Sequence, residues 1–182
     1  PYHMGKIYQR IDLLENISKK YNLKLIYANQ VGAQDELVFD GASMVVDRGR
    51  VVNLAKQFSE DLIISELCFG RIKNKVVLPE AKTVQINLPY LNKRAKLVTK
   101  KVCLLDDMAE VYSAIVLGVK DYVNKNGFSK TVVGLSGGID SSLVAVIARD
   151  ALGSDSVLGV VMPSAFSSKS SLKDALELAG NL

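Results

Sequence analysis

"GLSGGIDSS", residues 134–142, decides how the second half of the chain is read. It follows the apolar run "TVVGL" (131–135) and opens a helical pattern from Ile139 to Leu152, with Leu143, Ile147 and Leu152 among its apolar positions and Gly153 after its end. A strand, a tight loop and a helix in that order place the loop at the carboxyl end of a buried strand, where open α/β sheets bind ligands. Gly137 and Gly138 allow backbone conformations that side chains forbid, so consecutive N–H groups can converge on an anion. The helix starting near Ile139 adds unpaired amides and the positive end of its dipole. Ser136, Ser141 and Ser142 offer hydroxyl donors. Asp140 would repel a bare phosphate, so its presence points to a Mg²⁺ ion shared between carboxylate and phosphate oxygens. The loop lacks the Lys of G-x-x-x-x-G-K-[ST] and contains no G-x-G-x-x-G, which excludes two common phosphate loops. Residue types alone also allow an ordinary strand-to-helix turn, with Ser and Asp serving as helix caps.

Upstream of the loop, Asp106 or Asp107 can cap a helix whose apolar face is Met108, Val111, Ile115, Val119 and Tyr122, ended by Asn126-Gly127. Downstream, "SVLGVVM" (156–162) reads as a buried strand broken by Pro163. "SLKDALELAGNL" (171–182) offers a final helix, with Ser171 and Asp174 at capping-box spacing. The order α-β-α-β-α over residues 107–182 predicts right-handed crossovers onto a parallel sheet.

The first half has a different grammar. Apolar residues at Ile7, Ile11, Leu14, Ile17 and Tyr21 predict a helix, which feeds the strand-like "LKLIYAN" (23–29). After a polar loop "QVGAQDE" (30–36), the stretch "LVFDGASMVVDRGRVVNLAKQF" (37–58) shows short β-branched runs separated by Asp40-Gly41 and by "DRGR", a hairpin-turn composition. "DLIISEL" (61–67) and "KTVQINL" (82–88) add strand-like runs. Residues 1–88 thus read as a helix followed by a sheet with hairpins, 89–106 as a basic, irregular linker opened by Pro89, and 107–182 as the start of a second domain.

With 182 residues, 48% apolar and 23% charged, the chain is globular rather than disordered and can bury one good core or two small ones. The net charge of +4 is mild, and Lys93, Arg94, Lys96, Lys100 and Lys101 lack aromatic interleaving, so they read as a solvated linker and no nucleic-acid partner is expected. Cys68 and Cys103 lie far apart and flank no His; neither a zinc site nor a disulfide framework is implied, and they read as buried or incidental thiols in a reducing cytoplasm. No apolar run approaches the ~18 residues of a spanning helix and no charged-then-apolar leader is present, so no membrane association is expected. The start at Pro1 rather than Met reads as a fragment or a processed product.

"SGGIDSS" resembles the pyrophosphate loop of the N-type ATP pyrophosphatases, S-G-G-x-D-S. Its surroundings, "VYSAIVLGVKDYVNKNGFSKTVVGLSGGIDSSLVAVIARDALG" (111–153) and "VVMPSAFSSKSSLKDALELAGNL" (160–182), resemble the start of the synthetase domain of glutamine-dependent NAD synthetases. "PYHMGK" (1–6), "YANQVGAQDELVFDGASMVVD" (27–47) and "FSEDLIISEL" (58–67) are similar to the C-terminal part of the nitrilase-type glutaminase domain fused to it. The resemblance implies an α/β protein: the end of a nitrilase-like α-β-β-α domain, then the start of a Rossmann-like parallel-sheet ATP pyrophosphatase domain. It implies ATP and Mg²⁺ as ligands, and nicotinic acid adenine dinucleotide and glutamine or ammonia as substrates. ATP would adenylate the nicotinate carboxylate and ammonia would displace AMP to give NAD. A homo-oligomer is implied as well.

Carried over by position, Ser136, Gly137, Gly138, Asp140, Ser141 and Ser142 form the ATP and pyrophosphate loop, with Asp140 the Mg²⁺ ligand. Val161 and Met162 match the region that passes the adenine. Ser167 and Ser168 meet phosphate or cap the next helix. The family's glutaminase Cys, Glu and Lys match no position here, so this chain alone is expected to be inactive in glutamine hydrolysis and in NAD synthesis. Lys6 matches a basic position near glutamine or is a solvated helix-start lysine; Gln34, Asp35 and Glu36 shape a contact between the halves or form a polar loop; His3 shows no partner. Competing readings are a non-catalytic assembly fragment and another pyrophosphatase-type amidotransferase, such as a GMP synthetase relative. Residues 24–67 count against the latter, because its usual glutaminase is unrelated to nitrilases.

Overall fold

The structure is a computed structural model that describes residues 1–69, 103–163 and 168–182. Helix α1 (Lys6–Tyr21) starts after Gly5 in the left-handed region and stops at Asn22, also left-handed, whose N–H bonds back to the Ser18 carbonyl. Its Ile7, Ile11 and Leu14 pack on Met44 and Val46, so the 3.6-residue spacing of the sequence becomes the face that covers a sheet. That sheet is antiparallel with order β1-β4-β5: β1 (Leu25–Tyr27), β4 (Met44–Asp47) and β5 (Arg50–Leu54). Arg48 and Gly49 both take positive φ, 50° and 72°, which matches the twist of the β4–β5 hairpin and explains the "DRGR" signal.

Three readings of this half are corrected. Residues 31–34, expected as loop, form β2 (Val31–Gln34), which pairs with β3 (Leu37–Asp40) across the Asp35-Glu36 turn. Polar composition hid this strand, because its backbone is held by a helix from the other half as well as by β3. Asp40-Gly41 is no hairpin turn: β3 and β4 lie in different sheets, and Gly41 instead bridges to Gln57. "DLIISEL" forms no strand either; the Asn53 side-chain amide bonds the Ile64 carbonyl at 3.1 Å and the Ser65 hydroxyl at 2.9 Å, taking the place of a ladder. "KTVQINL", Pro89 and the basic cluster lie outside the described residues.

Residues 107–182 follow the predicted order: α2 (Asp107–Lys125), β6 (Thr131–Gly134), α3 (Ile139–Leu152), a 3₁₀ turn (Ser154–Ser156), β7 (Val157–Val160) and α4 (Lys169–Asn181). β6 and β7 are parallel, from Thr131 opposite Val157 to Gly134 opposite Val160, and Leu135 N–H extends the pairing to the Val160 carbonyl. Helices α3 and α4 cover one face, burying Val133, Leu135, Ala145, Ala148 and Ala175. The other face is open: Val132 is 65% and Leu158 59% exposed, so the two strands are half-covered rather than buried as predicted. Leu143 is exposed too, and the buried stripe of α3 is Ala145, Ile147, Ala148 and Ala151. Small residues let this helix approach the strands closely.

Asp106 caps α2, its carboxylate accepting from Ala109 N–H at 2.8 Å. The expected apolar face is wrong, however. Met108 and Tyr122 are 78% and 60% exposed, and the buried side carries Glu110 and Ala114. The reason is polar: that side docks onto the β2–β3 hairpin and the loop at Gln57, whose amides demand acceptors. Asp121 accepts from Ala33 N–H at 2.7 Å, and Lys125 donates to the Ala33 carbonyl at 2.6 Å and to Asp121 at 2.9 Å. No described helix is long and apolar enough to cross a membrane.

Candidate functional site

The loop after β6 is built by its own serines. The Ser141 hydroxyl donates to the Gly138 carbonyl at 3.0 Å and accepts the Ser136 N–H at 3.2 Å. Since Ser141 has only one proton to give, the 3.0 Å contact between the Ser136 and Ser141 hydroxyls has Ser136 as donor, and the Ser136 oxygen in turn receives Gly138 N–H at 3.3 Å. Ser142 also donates to the Gly138 carbonyl, at 2.9 Å. The hydroxyls expected as free phosphate donors are thus taken up in shaping the turn. The amides of Gly137, Ile139, Asp140 and Ser141 have no partner among the described residues. They are the groups that remain for an anion, at the N-terminus of a 14-residue helix capped by Gly138 with no side-chain hydrogen bond.

A second helix start closes on this one. Gly137 has φ 80°, and a Cβ built on it would overlap the Ser171 carbonyl oxygen and lie 2.8 Å from that residue's carbonyl carbon and Cα. The first turn of α4 therefore packs on the bare backbone of Gly137. That turn is capped by Ser168, whose hydroxyl accepts Ser171 N–H at 3.1 Å and contacts the Ser170 and Ser171 hydroxyls at 2.9 and 2.7 Å. The cap is Ser168, not Ser171 as the capping-box spacing indicated, which also settles Ser168 as a cap in this structure. Ser167 lies outside the described residues. At the end of β7, Met162 is 75% exposed, and its Cε would stand 3.4 Å from a Cβ on Gly134, so it overhangs the end of β6 beside the loop.

Asp140 is exposed and makes no hydrogen bond or ion pair among the described residues. No group of three or more His, Cys, Asp or Glu that could hold a metal exists among them either. An exposed carboxylate is an oxygen donor of the kind Mg²⁺ accepts, since that ion binds through one or two carboxylates plus phosphate oxygens and water.

The other candidates sit elsewhere. His3 contacts the adjacent Met4 carbonyl, Lys6 bonds the Pro1 carbonyl at 2.5 Å, and Gln34, Asp35 and Glu36 are exposed at the hairpin tip. Cys68 and Cys103 are free and exposed, so neither is a buried thiol. Sequence reading missed the polar groups that join the halves. Burial by itself would raise the Asp121 carboxyl, but the Ala33 amide and Lys125 together hold it below its ordinary value. The Tyr112 hydroxyl donates to Asp150 on α3 at 2.6 Å, and that bond, with Arg149, lowers the Asp150 carboxyl. A usable signal existed: positions 110, 114, 117 and 121 form one continuous helical face with an acid at each end.

Comparison with known proteins gives the chain a set of relatives. The chain is 44% identical to the glutamine-dependent NAD(+) synthetase of Thermotoga maritima over all of its own length and 34% of that protein, and 43% identical to that of Synechocystis sp. over all of its length and 29% of that protein. The solved structure of glutamine-dependent NAD+ synthetase from Acinetobacter baumannii in complex with adenosine diphosphate superposes with a TM-score of 0.78 at 37% identity, covering all of this chain and 30% of that one. The chain spans about a third of the length of these relatives. Residues 111–182 match the NAD synthase family model, and the chain is similar over its whole length to the glutamine-dependent NAD(+) synthetases.

Proposed function

We propose that this chain is the central part of a glutamine-dependent NAD(+) synthetase, in which residues 1–88 close a nitrilase-like glutaminase domain and residues 107–182 open a Rossmann-like ATP pyrophosphatase domain. The observation that carries the reading is the turn at 136–142: a glycine bare enough for a second helix start to pack on it, and four free amides at the end of a parallel strand. Such a cradle suits a departing pyrophosphate. A carboxylate is a poor acyl donor to ammonia until one of its oxygens joins a good leaving group. Adenylation of the nicotinate carboxylate of nicotinic acid adenine dinucleotide provides that group, and ammonia then displaces AMP.

The chain's own work is alignment and charge. The amides of Gly137, Ile139 and Asp140 bind the β- and γ-phosphates, the serine net holds the turn rigid before ATP arrives, and Met162 packs on the adenine side. Asp140 would hold Mg²⁺, which supplies positive charge shared with the phosphate oxygens. No residue of this chain is assigned to glutamine hydrolysis. The same reading makes the protein a cytoplasmic homo-oligomer. Calorimetric titration of this chain with ATP and Mg²⁺, beside Asp140→Ala, tests it. Binding that weakens at least several-fold in the variant supports the reading; equal binding by both, or by neither, removes its basis.

A further inference from the structure

The first turn of α2 contains a carboxylate that the loop chemistry does not use. Glu110 is 2% exposed and has no cationic partner among the described residues. One oxygen accepts the Gln57 side-chain amide at 2.9 Å, and the other faces Gly5 N–H at 3.4 Å. Gln57 completes the circuit by accepting Leu105 N–H at 2.9 Å. The buried Tyr2 phenol stands beside it; burial, then the Glu110 charge and a side-chain hydrogen bond to Glu110, push that phenol above its ordinary value. Gly5 is the left-handed residue that starts α1, and residues 1–5 lead into it. A buried charge satisfied only by neutral donors is costly to keep, so the geometry it holds matters more than the stability it returns.

We propose that Glu110 is a positioning residue that keeps the segment before α1 in register with the ATP-binding half. Its helix is fixed on the opposite side as well: Tyr112, two residues on, bonds Asp150 of α3, and α3 begins at the phosphate loop. One helix thus carries a polar contact to Gly5 and Gln57 and another to the element that bears Asp140. This rests on the proposed function, in which ammonia released in the first half is used in the second, and assigns Glu110 the transfer between the two rather than either reaction.

The donor and acceptor pattern provides a test that separates positioning from folding. In Glu110→Gln two amides meet, and Gly5 N–H or the Gln57 NH₂ loses its acceptor. In Gln57→Glu two buried carboxylates meet. In the double variant, the carboxylate introduced at position 57 accepts from Leu105 N–H and from the amide NH₂ introduced at position 110. The oxygen of that same amide accepts from Gly5 N–H, so every donor is matched again. NAD formation by the full-length gene product is measured with glutamine and, separately, with ammonium salt, alongside the thermal midpoint. The ratio of glutamine- to ammonium-supported rates is expected to fall about fivefold or more in each single variant and to recover in the double variant. An unchanged ratio, or two rates that fall together with the midpoint, overturns the proposal. A ratio that stays low in the double variant overturns it as well. Absence of NAD formation by the unsubstituted protein from either nitrogen source refutes the proposed function itself, and this inference with it.

Discussion

Gly137→Ala puts the packing of the loop under the most direct strain. At φ 80° the left-handed conformation costs an alanine about 1–2 kcal/mol. Its Cβ would also overlap the Ser171 carbonyl oxygen and approach that residue's carbonyl carbon and Cα at 2.8 Å, and these are backbone atoms that no rotamer change can move aside. Overpacking of this kind costs about 1–3 kcal/mol. The two effects share one cause of relief, a retreat of the first turn of α4, so they combine to about 2–5 kcal/mol at most if α4 holds its place. Gly138→Ala is the matched control. Gly138 has φ −90°, and a Cβ there would meet the Ser136 hydroxyl oxygen at 3.4 Å; as an N-cap glycine with no side-chain bond it should cost under about 1 kcal/mol. Urea unfolding followed by circular dichroism, compared at equal slope, measures both. Gly137→Ala is expected to unfold at a clearly lower midpoint than Gly138→Ala and to lose ATP binding. Equal midpoints for the two variants would show that α4 does not press on Gly137, and the account of the site as two converging helix starts would fail.

Two further outcomes follow from the polar contacts of α2. The Asp121 carboxyl is held below its ordinary value, so its contribution to stability is fully present above the unfolded-state value near about 3.9 and is lost as pH falls through the lower folded-state value. Urea midpoints should therefore drop more between pH 6 and pH 3 for the native chain than for Asp121→Asn; parallel pH profiles would contradict this. Tyr112→Phe removes the hydroxyl that is the first cause of the low Asp150 carboxyl, so Asp150 should titrate closer to an ordinary aspartate by NMR, with Arg149 alone, 2.6 Å away, still lowering it. An unmoved Asp150 would mean that the ion pair, not the phenol, sets its acidity.

Much of the fold was legible where its signals are local. The 3.6-residue spacing of α1, Asp106 at the start of α2, and the glycine pair after a β-branched run each depend on a few neighbouring residues and survive in the structure. The turn at Arg48-Gly49 was legible for the same reason, since positive φ at both central residues is written in the chemistry of the turn itself. What failed depended on distant partners. Val31–Gln34 looks like a loop by composition, yet Ala33 is clasped by Asp121 and Lys125 from 88 and 92 residues away. The orientation of α2 failed similarly: counting apolar residues turned Met108 and Tyr122 inward, whereas a buried amide cluster at Gly5 and Gln57 required Glu110 there instead.

The loop shows where the division falls. From the sequence alone, residues 134–142 were determined as a strand-to-helix turn able to bind an anion, because two glycines and a helix start have that property in any context. Only the tertiary structure decided which groups are left to do it. The serine hydroxyls close on the turn itself, the amides stay free, and α4 seats on Gly137. Conformational freedom belongs to a residue and can be read from its type; hydrogen-bond occupancy belongs to a neighbourhood, and the chain has to fold before its neighbourhoods exist.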